Sequence, residues 1–449
     1  MCKKKAMHPF IQKFSKIFED DINKFIESLK ENKKKFIRVN LARGRNYLSE
    51  FDYLKLNIKS NSIFSYVYEY PDDSEFRLSD TISFLTGGIY IQNPSSLLPV
   101  KFLIENLEEN EPIILDMASA PGGKTTAISE LLKRKGLIVA NEPSKKRLKD
   151  LHFNIEKNFA YNVATISYDG RVLGNLLSEV FDAVLLDAPC SNENKIFYDN
   201  TVFNNWSEDL ILRLSKLQKE LVDSAIKTLK KNGVFIYSTC TFSMEENEQV
   251  VKYIIKNYDM ELIDLNKGMF DYGLSGDEYI DKRVVRVLPH TNKYPGFEGF
   301  FVAGFKKRFG NNKLGMVKLL KNEKFKDILK IDKKANFYEL KNDVYISSKL
   351  QINGLKYEKF GTKFGKIIKN SLEYSSQACW EFGELLTENY YRVSYEKAKE
   401  FLKGNDLQID NLNVNNGILF FNDIPLGYFK HVDGRIKNKI DRYFIRGLT

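Results

Sequence analysis

The sequence predicts an α/β protein: a doubly wound, mainly parallel sheet preceded by a small N-terminal α/β module and followed by a C-terminal α+β region. Three observations carry this. Between residues 113 and 308, short apolar runs alternate with amphipathic stretches, the rhythm of a parallel sheet with crossover helices. The first of those runs leads into a loop of small residues that opens a helix. Near residues 311–313 the rhythm stops and the composition turns to lysine. At 449 residues the chain exceeds one ordinary core, so several domains are expected.

Taken in order, Phe10, Phe14, Ile17, Phe18, Ile22, Phe25, Ile26 and Leu29 recur at helical spacing, so residues 1 to about 35 read as helix. Phe36 to Asn40 reads as a first strand, and Gly87-Gly88 punctuates the chain. The strands of the main sheet are predicted at residues 113–116, 137–141, 164–168, 183–187 and 234–238. Helices are predicted at 125–135, 145–157, 209–231 and 244–256. Beyond residue 336 short β-like runs return with helices between them. Boundaries are accordingly expected near 85 and 308, giving modules 1–85, 86–308 and 309–449.

Bulk properties narrow the class. No apolar run reaches the roughly 18 residues of a membrane span, and the basic N-terminus lacks the apolar segment of a signal peptide. A soluble, cytoplasmic monomer is the expectation. Four cysteines without a CxxC pair, and four histidines, argue against a disulfide framework or a metal site. Cys2 and Cys379 read as buried apolar residues. The net charge of +10 is concentrated. Residues 303–370 hold 18 Lys+Arg against 6 Asp+Glu, a local surplus of 18 − 6 = +12. A basic stretch beside a near-neutral body suits docking on a polyanion such as RNA.

In open parallel sheets ligands bind beyond the carboxyl ends of the strands, and the chemically suggestive residues fall there. Asp116 ends the first strand; Ala118, Ser119, Ala120, Pro121, Gly122 and Gly123 form the small-residue loop; Lys124 and Thr125 open the helix. Such a loop lets backbone amides approach a ligand, although the phosphate-cradling G-x-x-x-x-G-K pattern is absent. Glu142 follows the second strand, placed to accept hydrogen bonds from ribose hydroxyls. Asp169 and Gly170 follow the third, toward an adenine edge. The order points to an adenosine cofactor. Cys190, in Asp187-Ala188-Pro189-Cys190-Ser191, and Cys240, in Tyr237-Ser238-Thr239-Cys240-Thr241, both follow strands. Two cysteines at strand ends beside a nucleotide loop suggest covalent catalysis. Lys124 is the cation such a fold brings nearest to them, where a positive charge lowers a thiol pKa.

The segments DMASAPGGKT, NEPSKKRL, LLDAPCS and YSTCTFSMEENEQVV resemble the Sun/RsmB/RsmF family of RNA cytosine-5 methyltransferases. Residues 91–96, Arg286 to His290 and Gly299 to Phe301 extend the resemblance to about 36–308. It implies S-adenosylmethionine as cofactor, held by the Asp116–Lys124 segment with Glu142, Arg147, Asp169, Gly170, Asp187 and Pro189. It also implies that Cys240 attacks carbon 6 of cytosine and that Cys190 assists release. Attack makes carbon 5 an enamine nucleophile toward a methyl group, and Asp187 could neutralise charge at ring nitrogen 3. Arg38, Arg286 and His290 are expected near RNA phosphates or the site rim. One stretch departs from the family: residues 192–198 read Asn-Glu-Asn-Lys-Ile-Phe-Tyr where a glycine usually follows Pro-Cys-Ser. Farther on, Tyr395 to Leu402, Pro425 to Lys430 and Arg435 to Asn438 resemble the PUA-type extension of the bacterial RsmF-like branch, which methylates 16S ribosomal RNA of the small subunit. Methylation of transfer RNA, or a non-catalytic role in ribosome assembly, are the alternatives to that expectation.

Overall fold

The computed structural model describes residues 8–448 except 32, 72, 73, 75, 292, 311–315, 321–333, 370 and 411. Cys2 and part of the basic stretch lie outside the described residues. Seven strands form the central sheet: β1 (Ile113–Asp116), β2 (Leu137–Asn141), β3 (Val163–Ile166), β4 (Phe181–Asp187), β5 (Leu229–Thr239), β6 (Met260–Ile263) and β7 (Phe300–Lys307). Their order is β6-β7-β5-β4-β1-β2-β3, and Val285–Val287 pairs with β7 off this path. β1 to β5 run parallel, while β7 is antiparallel to both neighbours. The order therefore reverses at β1, with β2 and β3 on one side and β4 and β5 on the other. That reversal opens a crevice at the carboxyl ends of β1 and β4. All four residues of β1 and all five of β2 are buried, because helices cover both faces.

The covering helices include α1 (Gly123–Leu131), α2 (Lys145–Asn158), α3 (Glu208–Thr228) and α4 (Glu248–Asn257). Ser144 and Ser207 cap α2 and α3, each accepting a backbone N–H three residues on. Phe159, left-handed at φ 57°, ends α2. The expected helix at 244–256 starts later: Met244–Glu246 is a 3₁₀ turn, and Asn247 at ψ −99° interrupts it before α4.

The N-terminal helical stretch is two helices, Pro9–Phe18 and Ile22–Lys30, hinged at Glu19, whose φ of 41° breaks the run. Their apolar faces do not pack on the strand that follows. Phe10, Phe14, Phe25 and Leu29 bury against Ile196, Trp206 and Phe242, which belong to the segments after the two cysteines, and against Leu288. Strands Lys59–Ser60, Val67–Tyr70, Lys35–Val39 and Ile89–Ile91 form an antiparallel sheet in that order, so the N-terminal sheet runs past residue 85.

Beyond residue 308 a two-stranded ribbon, Val317–Leu319 with Leu350–Ile352, and two larger sheets appear among the described residues. One contains Ala335–Leu340, Asp343–Ser348, Thr362–Ile368 and Ser371–Tyr374; the other is built around Asn416–Phe421 and Ile424–Val432. Lys359–Phe360 adds to the β3 edge of the central sheet. Trp380, Phe401, Leu419 and Phe429 share one core with Ile37, Tyr47 and Phe51 of the N-terminal sheet region. The two ends of the chain thus pack on each other.

Candidate active site

Both cysteines sit where the strands deliver them. Asp187 is in register with Ser238, so the segments that follow β4 and β5 leave the sheet side by side. Cys190 Sγ and Cys240 Sγ lie 3.3 Å apart, with no disulfide between them. Contact with the second thiol, burial and the nearby Glu246 charge push the Cys190 thiol well above its ordinary value. Cys190 is therefore a proton-bearing thiol at neutral pH. Lys124 Nζ is 2.7 Å from Asp187 Oδ2, and Asp187 Oδ1 accepts from Ser238 Oγ at 2.8 Å. Burial works against the Lys124 charge, but Asp187, Asp116 and Cys240 outweigh it and its pKa is raised. A permanent cation thus stands beside the pair of thiols.

Two buried carboxylates bind the cysteine segments in a crossed arrangement that the sequence reading missed. Glu193, three residues after Cys190, accepts hydrogen bonds from Thr241 Oγ1, Phe242 N, Ser243 N and Ser243 Oγ after Cys240, and from Trp206 Nε1. Glu246, six residues after Cys240, accepts from Ser191 N and Oγ after Cys190, and from Gln218 Nε2. Burial, then the charge of Glu193, raise Glu246 to about 7. The available signal was the pair of hydroxyl residues, Thr241 and Ser243, just past a strand end, where buried hydroxyls need partners.

The departure after Pro-Cys-Ser now has a physical setting. Asn192 has φ 54° and ψ 36°, a left-handed conformation natural to glycine and tolerated by asparagine. Its Oδ1 accepts from the Cys240 thiol at 3.0 Å and its Nδ2 donates to Cys190 O at 3.1 Å. Phe197 and Tyr198, at the end of this segment, lie under Lys30 and Lys33 at 5.2 and 5.5 Å from ring centre to ammonium.

Around β1 and β2 the structure gathers the expected cofactor residues. Thr125 Oγ1 donates to Asp116 Oδ2 at 2.6 Å, but Oδ1 of this buried carboxylate has no partner. Burial raises Asp116 to about 6 despite the Thr125 bond. Ser119 N and Oγ bond Asn141 O, which ties the loop to β2. Gly122 has φ 109°, and a Cβ there would lie 3.1 Å from Leu151 Cδ1, so the position demands glycine. Arg147 donates to Ala120 O at 2.6 Å, and Asn154 Nδ2 to Pro121 O at 2.9 Å. Glu142 Oε1 accepts from Ser144 N, whereas Oε2 has no hydrogen-bond partner, with Arg147 Nη1 3.2 Å away. Two orphaned carboxylate oxygens at adjacent strand ends suit a ligand rich in hydroxyl and amino donors. Asp169 is exposed and engaged by Arg171 at 2.6 Å; Gly170 is buried beneath it. Pro189 is exposed and its carbonyl accepts from Gln218 Nε2.

Two of the three residues expected near phosphates or the rim are instead buried. Arg38 is buried, bonding both oxygens of Glu130, Thr126 Oγ1 and Gly123 O. Arg286 is buried between both oxygens of Glu248 and Phe242 O. Neither can reach a phosphate; each braces a loop, Arg38 the small-residue loop at Gly123 and Arg286 the segment after Cys240. His290 packs edge-on against Phe18 and Phe25.

A family model described as 16S rRNA methyltransferase RsmB/F matches residues 103–306, and one described as the methyltransferase RsmF PUA domain matches residues 388–446. A Vibrio parahaemolyticus protein named ribosomal RNA small subunit methyltransferase F is 32% identical over 98% of this chain and 99% of its own. The chain belongs to the RsmB/F methyltransferase family. A namesake from Vibrio vulnificus is 33% identical over 84% of this chain and 83% of its own. Among solved structures, a methyltransferase homolog from Pyrococcus horikoshii superimposes with a TM-score of 0.57 at 27% identity, covering 66% of this chain and 94% of that one. NSun6 of the same organism, crystallised with SFG, shares the fold with a TM-score of 0.57 at 23% identity over 67% and 98% of the two chains. In this RsmB/F-type chain the RNA methyltransferase body is thus followed by a PUA domain at its C-terminal end. Among the described residues no helix is long and apolar enough to cross a membrane, and no cluster of His, Cys, Asp and Glu could hold a metal.

Proposed function

We propose that this protein methylates carbon 5 of a cytosine in small-subunit ribosomal RNA, using S-adenosylmethionine and a covalent bond between Cys240 and the base. The observation that carries the reading is the pair of free thiols 3.3 Å apart beside the Lys124–Asp187 ion pair, at the strand ends next to the cofactor loop. Bound S-adenosylmethionine would supply an electrophilic methyl group. Asp116 and Glu142, each with an orphaned oxygen, would hold its polar groups, with the Ser119–Gly123 loop against it.

The chain's own residues divide the work. The Cys240 thiolate adds to carbon 6, its S–C bond forming as the ring double bond moves to make carbon 5 nucleophilic. Lys124 supplies positive charge beside the anionic species. After methyl transfer, carbon 5 gives up its proton to a base, the ring double bond re-forms and the Cys240–carbon 6 bond breaks. Cys190, held as a thiol, donates its S–H to the departing Cys240 sulfur. The base must be unpaired or flipped out to meet these groups.

Trapping tests the division of roles. Cys190→Ala is expected to accumulate a covalent protein–RNA adduct through Cys240, and Cys240→Ser to form none. Equal adduct in both variants would overturn the assignment. Bisulfite sequencing of RNA from cells with and without the protein identifies the cytosine; signal in transfer RNA alone would move the substrate, and no signal would favour an assembly role.

A further inference from the structure

A cavity of about 880 Å³ lies away from the cysteines, between the β3 edge and the sheet of residues 335–374. Three nearly fully buried side chains that line it have a polar atom without a hydrogen-bond partner: Thr362 Oγ1, Ser376 Oγ and Gln377 Nε2. Nine such atoms occur among the described residues. Two of the others are in the cofactor pocket and two, on Asn194 and Gln218, beside the cysteine segments. A buried polar group left unpaired is costly, so a cluster of them marks a place where a ligand completes the bonding.

The rest of the lining says what kind of ligand. Tyr374 and Tyr428 meet at 6.3 Å, nearly perpendicular, and present flat aromatic surface. The acids that line the cavity are occupied: Glu156 by Lys359, Glu358 by Lys145, Glu373 by Lys430, and Asp441 accepts from Tyr443 N. Lys366 and Lys439, exposed at its edge, have no such partner among the described residues. Aromatic faces, hydroxyl and amide groups awaiting partners, and free ammonium groups are the set that stacks a base, reads its edge and neutralises a phosphate.

We propose that this cavity binds a nucleotide unit, its base against the tyrosines and bonded to Gln377, Ser376 or Thr362, its phosphate to Lys366 and Lys439. In the form of an unstacked nucleotide of bound RNA it rests on the reaction proposed above; a free nucleotide offers the same chemistry. The test uses the full-length protein and a short fluorescent single-stranded RNA followed by anisotropy, with the four nucleoside monophosphates as competitors. Gln377→Leu with Ser376→Ala, and separately Lys366→Ala with Lys439→Ala, are each expected to weaken RNA binding about tenfold. The lysine pair should also lower the salt dependence. Competition by a monophosphate at micromolar concentration would assign the free nucleotide, and weakened RNA binding without competition the strand. Unchanged binding of both RNA and monophosphates in both double variants would overturn the proposal. Thermal melting checks that the variants fold, and methyl transfer by the unaltered protein is scored separately: cytosine methylation with unaffected variant binding sinks only the cavity assignment.

Discussion

Asn192 concentrates the individuality of this chain. A left-handed backbone makes asparagine and glycine near-equivalents there, but only asparagine places an amide oxygen 3.0 Å from the Cys240 thiol. The amide oxygen holds the S–H by a hydrogen bond that must break before the sulfur can attack anything else. Asn192→Gly should therefore leave stability within about 1 kcal/mol and speed alkylation of Cys240 by iodoacetamide severalfold, measured in a Cys190→Ala background. An unchanged rate would deny Asn192 any hold on the thiol. Asp116 yields a pH prediction. Its pKa of about 6 lies above the ordinary 3.8, so the free protein protonates it as pH falls through 6. A ligand that donates hydrogen bonds prefers the ionised form. Calorimetry should find S-adenosylmethionine affinity steady from pH 7 to 8 and falling below pH 6, and Asp116→Asn should flatten that fall. Cys190, Cys240 and Asp116 were legible because strand–loop motifs announce them; Asn192 was visible only as a departure, since a contact across 48 residues of sequence has no local signature.

Between elements, the decisive feature is the exchange of carboxylates. Glu193 accepts five hydrogen bonds from the Cys240 side and from Trp206. Glu193→Ala would leave those donors buried and unpaired, at a cost of at least about 3 kcal/mol, and should cut adduct formation more than it cuts RNA binding. Adduct yield equal to that of the unaltered protein would count against a positioning role. Glu246 adds a pH term. Its folded pKa of about 7 exceeds the ordinary 4.5. Stability from this group is thus complete below 4.5 and declines as pH rises toward 7, the window in which only the unfolded chain has released the proton. Chemical denaturation at pH 5 and 7.5 should reveal that loss, reduced in Glu246→Gln. Helix and strand positions followed from apolar periodicity, whereas the hinge at Glu19 and the break at Asn247 did not, because single residues with unusual backbone angles do not alter a periodic pattern.

Across the whole molecule, Glu381 joins the C-terminal region to the body. It accepts from Arg43 Nε at 2.8 Å and Arg134 Nε at 3.1 Å, all three side chains buried. Burial opposes its charge, but Arg134 and Arg43 prevail and hold its pKa below the ordinary value. Glu381→Ala strands two buried guanidinium groups, which costs about 3–5 kcal/mol. Limited proteolysis of that variant should release a C-terminal fragment that the unaltered chain resists; identical digestion patterns would show that the apolar core shared by the two ends suffices. The basic balance of residues 303–370 was legible as a number, yet charge counts do not reveal that Lys359 and Lys363 are paired while Lys366 has no ion-pair partner among the described residues.

By itself the sequence determined the alternation of strands and helices, the small-residue loop after the first strand, the two cysteines and the family to which they belong. These are local: a strand's alternating faces, a loop's need for small residues and a thiol's chemistry are written in neighbouring positions. Only the tertiary structure decided that Arg38 and Arg286 brace loops rather than meet RNA, that Glu193 and Glu246 cross-link the cysteine segments, and that the N-terminal helices roof them. Those outcomes depend on which buried charge finds a partner, and burial is set by packing between segments that the chain order keeps far apart.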